Sequence, residues 1–226
     1  MTFIQAASAP KIIPVPFTSY LVVAIAGYLL GSIPTGYLVG RARGVDIRTV
    51  GSRNMGATNV FRTLGKGLGI FVLVVDGLKG FAACAWVCTW LFGMLTVAPE
   101  DQSVHRIISG IAAVLGHNYT CWLKFKGGKG IATSAGVYFA LAPLAAILAI
   151  IAWIILFAAT RYVSVASIAA SIALPTAVWF TQDSVLLGVV TTGLGVMAIY
   201  KHKANIQRLR AGTENKIHFK KQKALT

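Results

Sequence analysis

The chain has 226 residues, 56% of them hydrophobic and only 12% charged, yet lysine and arginine outnumber aspartate and glutamate 21 to 6 for a net charge of +15. So apolar a composition excludes a single soluble domain of this length and makes a bilayer the solvent. The bases flank long apolar runs, as in the cytoplasmic loops of membrane proteins, and this sets nucleic acid aside as the partner.

Residues 1–16 carry one base, Lys11, and prolines at 10, 14 and 16, without a basic leader or a small-residue cleavage site. They read as an external tail before an uncleaved first helix. Phe17 to Gly40 then gives an apolar run of 24 residues, ~36 Å of helix, enough to cross a hydrocarbon core of ~30 Å.

The first polar segment, 41–66, contains Gly51 to Arg62, where two asparagines, a serine, a threonine, two arginines and two glycines fall within twelve residues. Hydroxyl, amide and guanidinium groups all donate to an oxyanion, and glycine lets the backbone come close to one. Ser52 or Asn54 also suits a helix N-cap. Capping leaves Asn59 and Arg62 unexplained, spaced i and i+3 on one helical face.

The next apolar run, Leu68 to Leu95, holds Asp76 and Lys79 at i and i+3, a spacing that permits mutual neutralisation. A helix-orienting pair and a functional pair are equally compatible with it. Cys84 and Cys88 share a face of this run and Cys121 lies elsewhere, so the cysteines read as free packing residues. Ile107 to Leu123 follows with His117, read as a buried, hydrogen-bonded histidine.

Lys124 to Thr133 places three lysines around Gly127, Gly128 and Gly130 where a helix opens, a setting whose free amides and dipole hold anions. It is not a nucleotide loop, because Lys129 is followed by Gly130 and not by serine or threonine. No nucleotide or metal cofactor is implied. Ile131 to Thr160 is too long for one span, and Pro143 near its middle divides it. Val163 to Phe180 and Val185 to Tyr200 complete the apolar runs. In the tail from Lys201, His202 and Asn205 lie at i and i+3, and Glu214 is the lone acid beside eight bases, suited to neutralising a neighbour.

Six undivided runs would put both termini on one side, which the charges oppose. Division at Pro143 gives an all-α protein of seven transmembrane helices, with the N-terminus outside and the C-terminus cytoplasmic; five is the alternative. The whole chain, 1–226, is then one membrane domain, and 41–66, 124–130 and 201–226 are its cytoplasmic polar segments. Every basic cluster falls on the cytoplasmic side.

The stretches GSIPTGYLVGR, GSRNMGATNVFRTLG, DGLKG, GHNYTCWLKFKGGKGIATS and HKANIQRLRAGTE occur here in the order of one enzyme family. From about residue 28 to about residue 215 the chain closely resembles the bacterial acyl-phosphate:glycerol-3-phosphate acyltransferases. Arg53 departs from the pattern, standing where the family commonly has a small residue, often glycine.

The resemblance implies transfer of a fatty acyl group from acyl phosphate to the 1-hydroxyl of glycerol 3-phosphate, giving lysophosphatidic acid and phosphate, the first step of phospholipid synthesis. It places the enzyme in the bacterial inner membrane with its site toward the cytoplasm, in contact with membrane lipid and without a cofactor; a monomer is compatible with the sequence, which does not fix the oligomeric state. Lys126, Lys129 and Arg62 are then expected to bind phosphate. Ser52, Asn54 and Asn59 would hydrogen-bond phosphate or the carbonyl oxygen, with Thr58 in the same set. His202 and Asn205 would position the acceptor, and Gly127, Gly128 and Gly130 would shape the phosphate loop. Glu214 joins the substrate-binding set, its favoured role being to neutralise a base.

None of the histidines at 105, 117, 202 and 218 has an aspartate five positions on, and there is no nucleophile elbow or metal cluster. Acyl phosphate is already activated, so holding two anions in reactive geometry is expected to do most of the work. The acceptor's phosphate is the leading base and His202 the runner-up. The rivals from other classes are an anion transporter gated by Asp76 and Lys79, and a non-catalytic binder of anionic lipid.

Overall fold

The structure, a computed structural model, describes residues 17–217, which are helical throughout apart from turns and loops. The expected tail 1–16 and residues 218–226 of the last polar segment lie outside the described residues.

The first apolar run is not one helix. α1 (Phe17–Ser32) stops before Pro34, which has no N–H to donate, and α2 (Thr35–Ala42) begins after it. The carbonyls freed at this break are taken by side chains, Lys79 Nζ donating to Ile33 O at 2.9 Å and Thr120 Oγ1 to Ser32 O at 2.6 Å. A short α3 (Ala57–Thr63) leads into α4 (Lys66–Ala82), a π turn (Ala83–Val87) and α5 (Cys88–Leu95), continuous over 30 residues.

After a 3-10 turn (Pro99–Asp101) comes α6 (Gln102–Asn118), which begins and ends five residues earlier than the apolar run Ile107 to Leu123. A second 3-10 turn (Cys121–Leu123) and the glycine loop precede α7 (Ile131–Leu141). Pro143 then starts α8 (Pro143–Thr160) at a position where its missing N–H has no helical partner to lose. α9 (Val163–Thr181) accommodates Pro175 in its interior. α10 (Val185–Lys201) and α11 (Lys203–Arg210) meet at a 51° bend.

By length and composition, Phe17–Ala42, Lys66–Leu95, Pro143–Thr160 and Val163–Thr181 can each cross a membrane, and the bent pair makes a fifth. α1 packs on α6, α4 on α7 and α8 on α9. The α4–α7 contact is close because a β-carbon at Gly136 would overlap the Gly77 carbonyl. Behind it, Tyr138 is fully buried and its hydroxyl donates to Thr191 Oγ1 at 2.7 Å. α8 is the outlying helix, with Ile151, Ile154 and Ile155 exposed in the manner of a lipid-facing surface.

Candidate active site

α3, the loop before it, the glycine loop, the start of α9 and the α10–α11 bend enclose a polar cavity of about 110 Å³. The three polar segments of the sequence meet there. Ser52, Asn54, Thr58, Asn59, Arg62, Lys129, Gly130, His202, Asn205 and Glu214 all line it. Lys126, Gly127 and Gly128 do not. Lys126 is exposed on the outer side of the loop, and the two glycines turn inward onto α6.

On the first wall, the organising residue is Asn59, buried in α3. Its Nδ2 donates to the carbonyls of Ile47 at 2.9 Å, Val50 at 3.1 Å and Asn54 at 2.9 Å, and its Oδ1 accepts from Ser52 N at 2.9 Å. With two N–H groups serving three carbonyls, one of them shared, and its oxygen accepting from Ser52, this amide folds residues 47–54 against α3. This differs from the direct substrate contact read from the sequence. Asn54 Oδ1 accepts from Gly56 N at 2.8 Å, an Asx turn, and the N-cap of α3 is Gly56, neither Ser52 nor Asn54. Arg53 adopts φ +56° and is exposed, which explains why glycine suits this position.

Arg62, one turn beyond Asn59, donates through NH2 to Asn215 O at 2.8 Å and so ties α3 to the strand of chain after α11. Burial lowers its pKa against the opposing effect of Glu214. The guanidinium has further N–H groups available to an oxyanion in the cavity.

The second wall is the glycine loop. Gly127 N donates to Asn118 O at 3.2 Å and Gly128 N to His117 O at 3.0 Å, so the loop lies directly on the end of α6. A β-carbon at Gly127 would overlap the His117 carbonyl, and one at Gly128 would overlap its imidazole. Gly127 and Gly128 are needed for that contact, which is how they shape the loop that carries Lys129. Gly130, at φ +80°, is the N-cap of α7 and aims the chain back into the cavity.

Lys129 projects inward and its Nζ donates to Asn205 Oδ1. Burial pulls its pKa down to about 8; Glu214 opposes the shift, and Arg208 and Arg62 add to it.

The third wall is the α10–α11 bend. His202 Nδ1 lies 2.7 Å from Ala198 O, a group that only accepts, so the proton sits on Nδ1 and Nε2 is the free acceptor. Asn205 passes the Lys129 contact on, its Nδ2 donating to Glu214 Oε1 at 2.8 Å. Ser164 Oγ donates to the same oxygen at 3.0 Å, and Arg208 Nε to Oε2 at 2.7 Å. Burial pushes the Glu214 carboxyl up, but these three donors outweigh it and hold the pKa below the usual value. Glu214 therefore neutralises Arg208 and fixes Asn205, in line with its favoured role.

Four lining residues with polar side chains were missed as members of the site: Asp76, His117, Ser164 and Ser167. The serines stand one turn apart at the start of α9, a spacing that could have flagged them. Asp76 Oδ1 accepts from Lys79 Nζ at 2.8 Å and from Thr35 Oγ1 at 3.0 Å. Since Lys79 also holds Ile33 O, the pair does join helices, binding α4 to the α1–α2 break. Among the described residues no cluster of ligating side chains fits a metal ion.

Beside the cavity runs an apolar groove of about 960 Å³ walled by α3, α4, α7, α8, α9 and α10. Thr58, Leu73, Ile131, Ala132, Val163 and Ser167 border both spaces, so a polar head and an apolar chain can lie in one continuous site.

Relatives with a common name and solved structures of the same shape match this chain. The chain is 45% identical over 198 residues to a glycerol-3-phosphate acyltransferase of Geotalea daltonii, covering 88% of this chain and 97% of that one. It is 48% identical over 196 residues to the enzyme of the same name from Geobacter metallireducens, covering 86% and 96%. Two crystal structures of PlsY, an integral membrane glycerol 3-phosphate acyltransferase, superpose on 88% of this chain and 96% of theirs. The glycerol 3-phosphate form gives a TM-score of 0.80 at 40% identity and the lysophosphatidic acid form 0.77 at 39%. With residues 21–212 also matching the glycerol-3-phosphate acyltransferase family throughout, the polar cavity and its apolar annex belong to an integral membrane protein of that family.

Proposed function

We propose that the chain transfers a fatty acyl group from acyl phosphate to the 1-hydroxyl of glycerol 3-phosphate, releasing phosphate and lysophosphatidic acid as the first step of phospholipid synthesis. The observation that carries this reading is the shared border of cavity and groove, which suits a donor with one phosphate and one alkyl chain beside a small phosphorylated acceptor. In the groove, Phe61, Phe81, Trp153 and Phe157 would bury the acyl chain, each methylene gaining ~0.8 kcal/mol.

Arg62 and Lys129 hold the two phosphates close together, with the hydroxyl and amide groups of Ser52, Asn54 and Thr58 at the same wall. The acceptor's primary hydroxyl oxygen attacks the carbonyl carbon, the bond from that carbon to the phosphate oxygen breaks, and orthophosphate leaves. The hydroxyl proton passes to a phosphate oxygen of the acceptor; His202 Nε2 is the alternative. Lys129 and Arg62 offset the charge that develops on the leaving group. Asn59, Asn205 and Glu214 act by holding these groups in place.

The same reading puts the protein in the bacterial inner membrane as a monomer with seven spans, α6 and α7 being the short ones. The N-terminus lies outside and the cavity opens toward the cytoplasm, in keeping with the bases at its rim. Purified protein given acyl phosphate and glycerol 3-phosphate should release one phosphate per lysophosphatidic acid formed, with no coenzyme A thioester needed. Absence of product under those conditions would overturn the reading. A cysteine reporter at position 220 should react only from the cytoplasm and one at position 8 only from outside; reaction of both from one side would exclude an odd number of spans.

A further inference from the structure

The polar cavity has two chemically opposite ends. At one, Arg62 and Lys129 offer positive charge, and the charges acting on Lys129 are those of Glu214, Arg208 and Arg62. At the other, the wall is a carboxylate and an imidazole, Asp76 of α4 and His117 of α6, both buried. Asp76 Oδ1 is already engaged by Lys79 and Thr35.

His117 Nδ1 lies 3.7 Å from that same oxygen, too far for a hydrogen bond, and is a buried nitrogen without a hydrogen-bond partner. A buried polar atom left unpaired is costly, so a partner for His117 Nδ1 at this end would be favourable. Lys79 neutralises the Asp76 carboxylate, so this end offers no net positive charge to hold a phosphate, in contrast to Arg62 and Lys129. A hydroxyl is suited to it, since it donates to a carboxylate and both donates to and accepts from an imidazole.

We infer that Asp76 and His117 form a hydroxyl-recognition subsite, which binds the secondary hydroxyl of the acceptor and so turns its primary hydroxyl toward the donor carbonyl. The primary hydroxyl must reach the border with the groove, where the acyl group lies, and the secondary hydroxyl is the one free for recognition. The inference rests on glycerol 3-phosphate as the acceptor. It adds the feature that separates this acceptor from a phosphate monoester with a single hydroxyl. His117 also carries the glycine loop through its carbonyl, so the same residue sets the distance between the hydroxyl end and Lys129.

The test compares calorimetric binding of glycerol 3-phosphate with that of 3-hydroxypropyl phosphate, which lacks the secondary hydroxyl, in the full-length protein without donor. The wild type should prefer glycerol 3-phosphate about tenfold to a hundredfold. In His117→Leu the preference should fall to within about threefold while affinity for inorganic phosphate stays within about twofold, and His117→Gln should restore part of it. Asp76→Asn should behave as His117→Leu does, and the two histidine variants decide the matter where loss of the Lys79 partner prevents folding. Equal affinity of the wild type for both ligands overturns the inference. So does a folded His117→Leu protein that keeps the wild-type ratio, including one in which both ligands and phosphate weaken together, since that marks a support for the loop only. Binding is read without acyl transfer, so failure of the proposed reaction and failure of this subsite give different results.

Discussion

The α3 wall and the glycine-loop wall of the cavity each present one principal cation, Arg62 and Lys129, but they are built by different forces. The α3 wall is held by hydrogen bonds radiating from the Asn59 amide to four backbone positions. The glycine-loop wall has two backbone hydrogen bonds to the end of α6 and adds close packing, with Gly127 and Gly128 laid on that end and no room for a β-carbon. Hydrogen bonds to a surface-facing loop degrade gradually, because water can take over some of the partners. A contact at van der Waals limit has no such reserve. The two walls should therefore fail differently.

The steepest failure is expected at Gly128→Ala. Its methyl meets the imidazole of a buried histidine, and relief requires displacing that ring from its packed position or moving α6 or the loop that carries Lys129. We expect kcat/KM for both substrates to fall about a hundredfold, with a stability loss of about 1–3 kcal/mol. Wild-type kinetics in a folded variant would mean that the loop shifts freely and that packing does not set the position of Lys129.

Asn59→Ala removes the opposite kind of support. It leaves three carbonyls and one N–H to find water, at about 1 kcal/mol for each bond lost. The expected result is a fall in kcat/KM of about thirtyfold, carried mainly by higher KM for both substrates as residues 47–54 loosen. Asn59→Asp should be no better, because a carboxylate keeps the bond from Ser52 N but turns acceptor lone pairs toward the three carbonyls. A full rescue by aspartate would show that only the Ser52 bond matters.

These two positions also show what was legible from residue types. The convergence of the three polar segments was readable, because each carried more donors and glycines than a solvated loop needs. The division of labour inside them was not. Asn59 reads as a donor for substrate as easily as a donor for its own loop, and only the surrounding backbone decides between them. The break at Pro143 was readable since the run was too long for one span. Pro34 and Pro175 were not separable by the same logic, for the first ends a helix and the second stays inside one. The groove was implied only by the need for an alkyl seat, as its walls come from six helices distant in sequence. Asp76 was as compatible with a helix-orienting pair as with a functional one, and His117 read as a buried histidine that explains itself locally; their place on the cavity wall is a tertiary fact.

Charge and shape can be separated at the rims of the two walls. Arg62 has a planar fork that serves the Asn215 carbonyl and an oxyanion at once, whereas Lys129 acts as a point charge. Arg62→Lys should lose about tenfold in kcat/KM, the equivalent of one charge-assisted hydrogen bond. Lys129→Arg should retain measurable activity if the loop yields slightly. Were Arg62→Lys and Arg62→Ala both to show wild-type kinetics, Arg62 would be a strut between α3 and residue 215 and no phosphate ligand.

The smallest effect expected needs no mutation. Lys129 is the cation of the packed wall, and burial brings its pKa to about 8, the neighbouring Arg208 and Arg62 adding to the shift and Glu214 resisting it. A lysine is charged below its pKa, so the anion-binding form is nearly complete at pH 7 and is lost as the pH rises. Taking the protonated fraction alone, kcat/KM for glycerol 3-phosphate should fall about fourfold between pH 7 and pH 8.5. A bound phosphate favours the charged form, so kcat, which reports the complex, should fall later than kcat/KM. Arginine at position 129 stays charged throughout this range, and in Lys129→Arg the decline should vanish even if the absolute rate is lower. A decline that persists unchanged in that variant would assign the titration to another group and detach it from the glycine-loop wall.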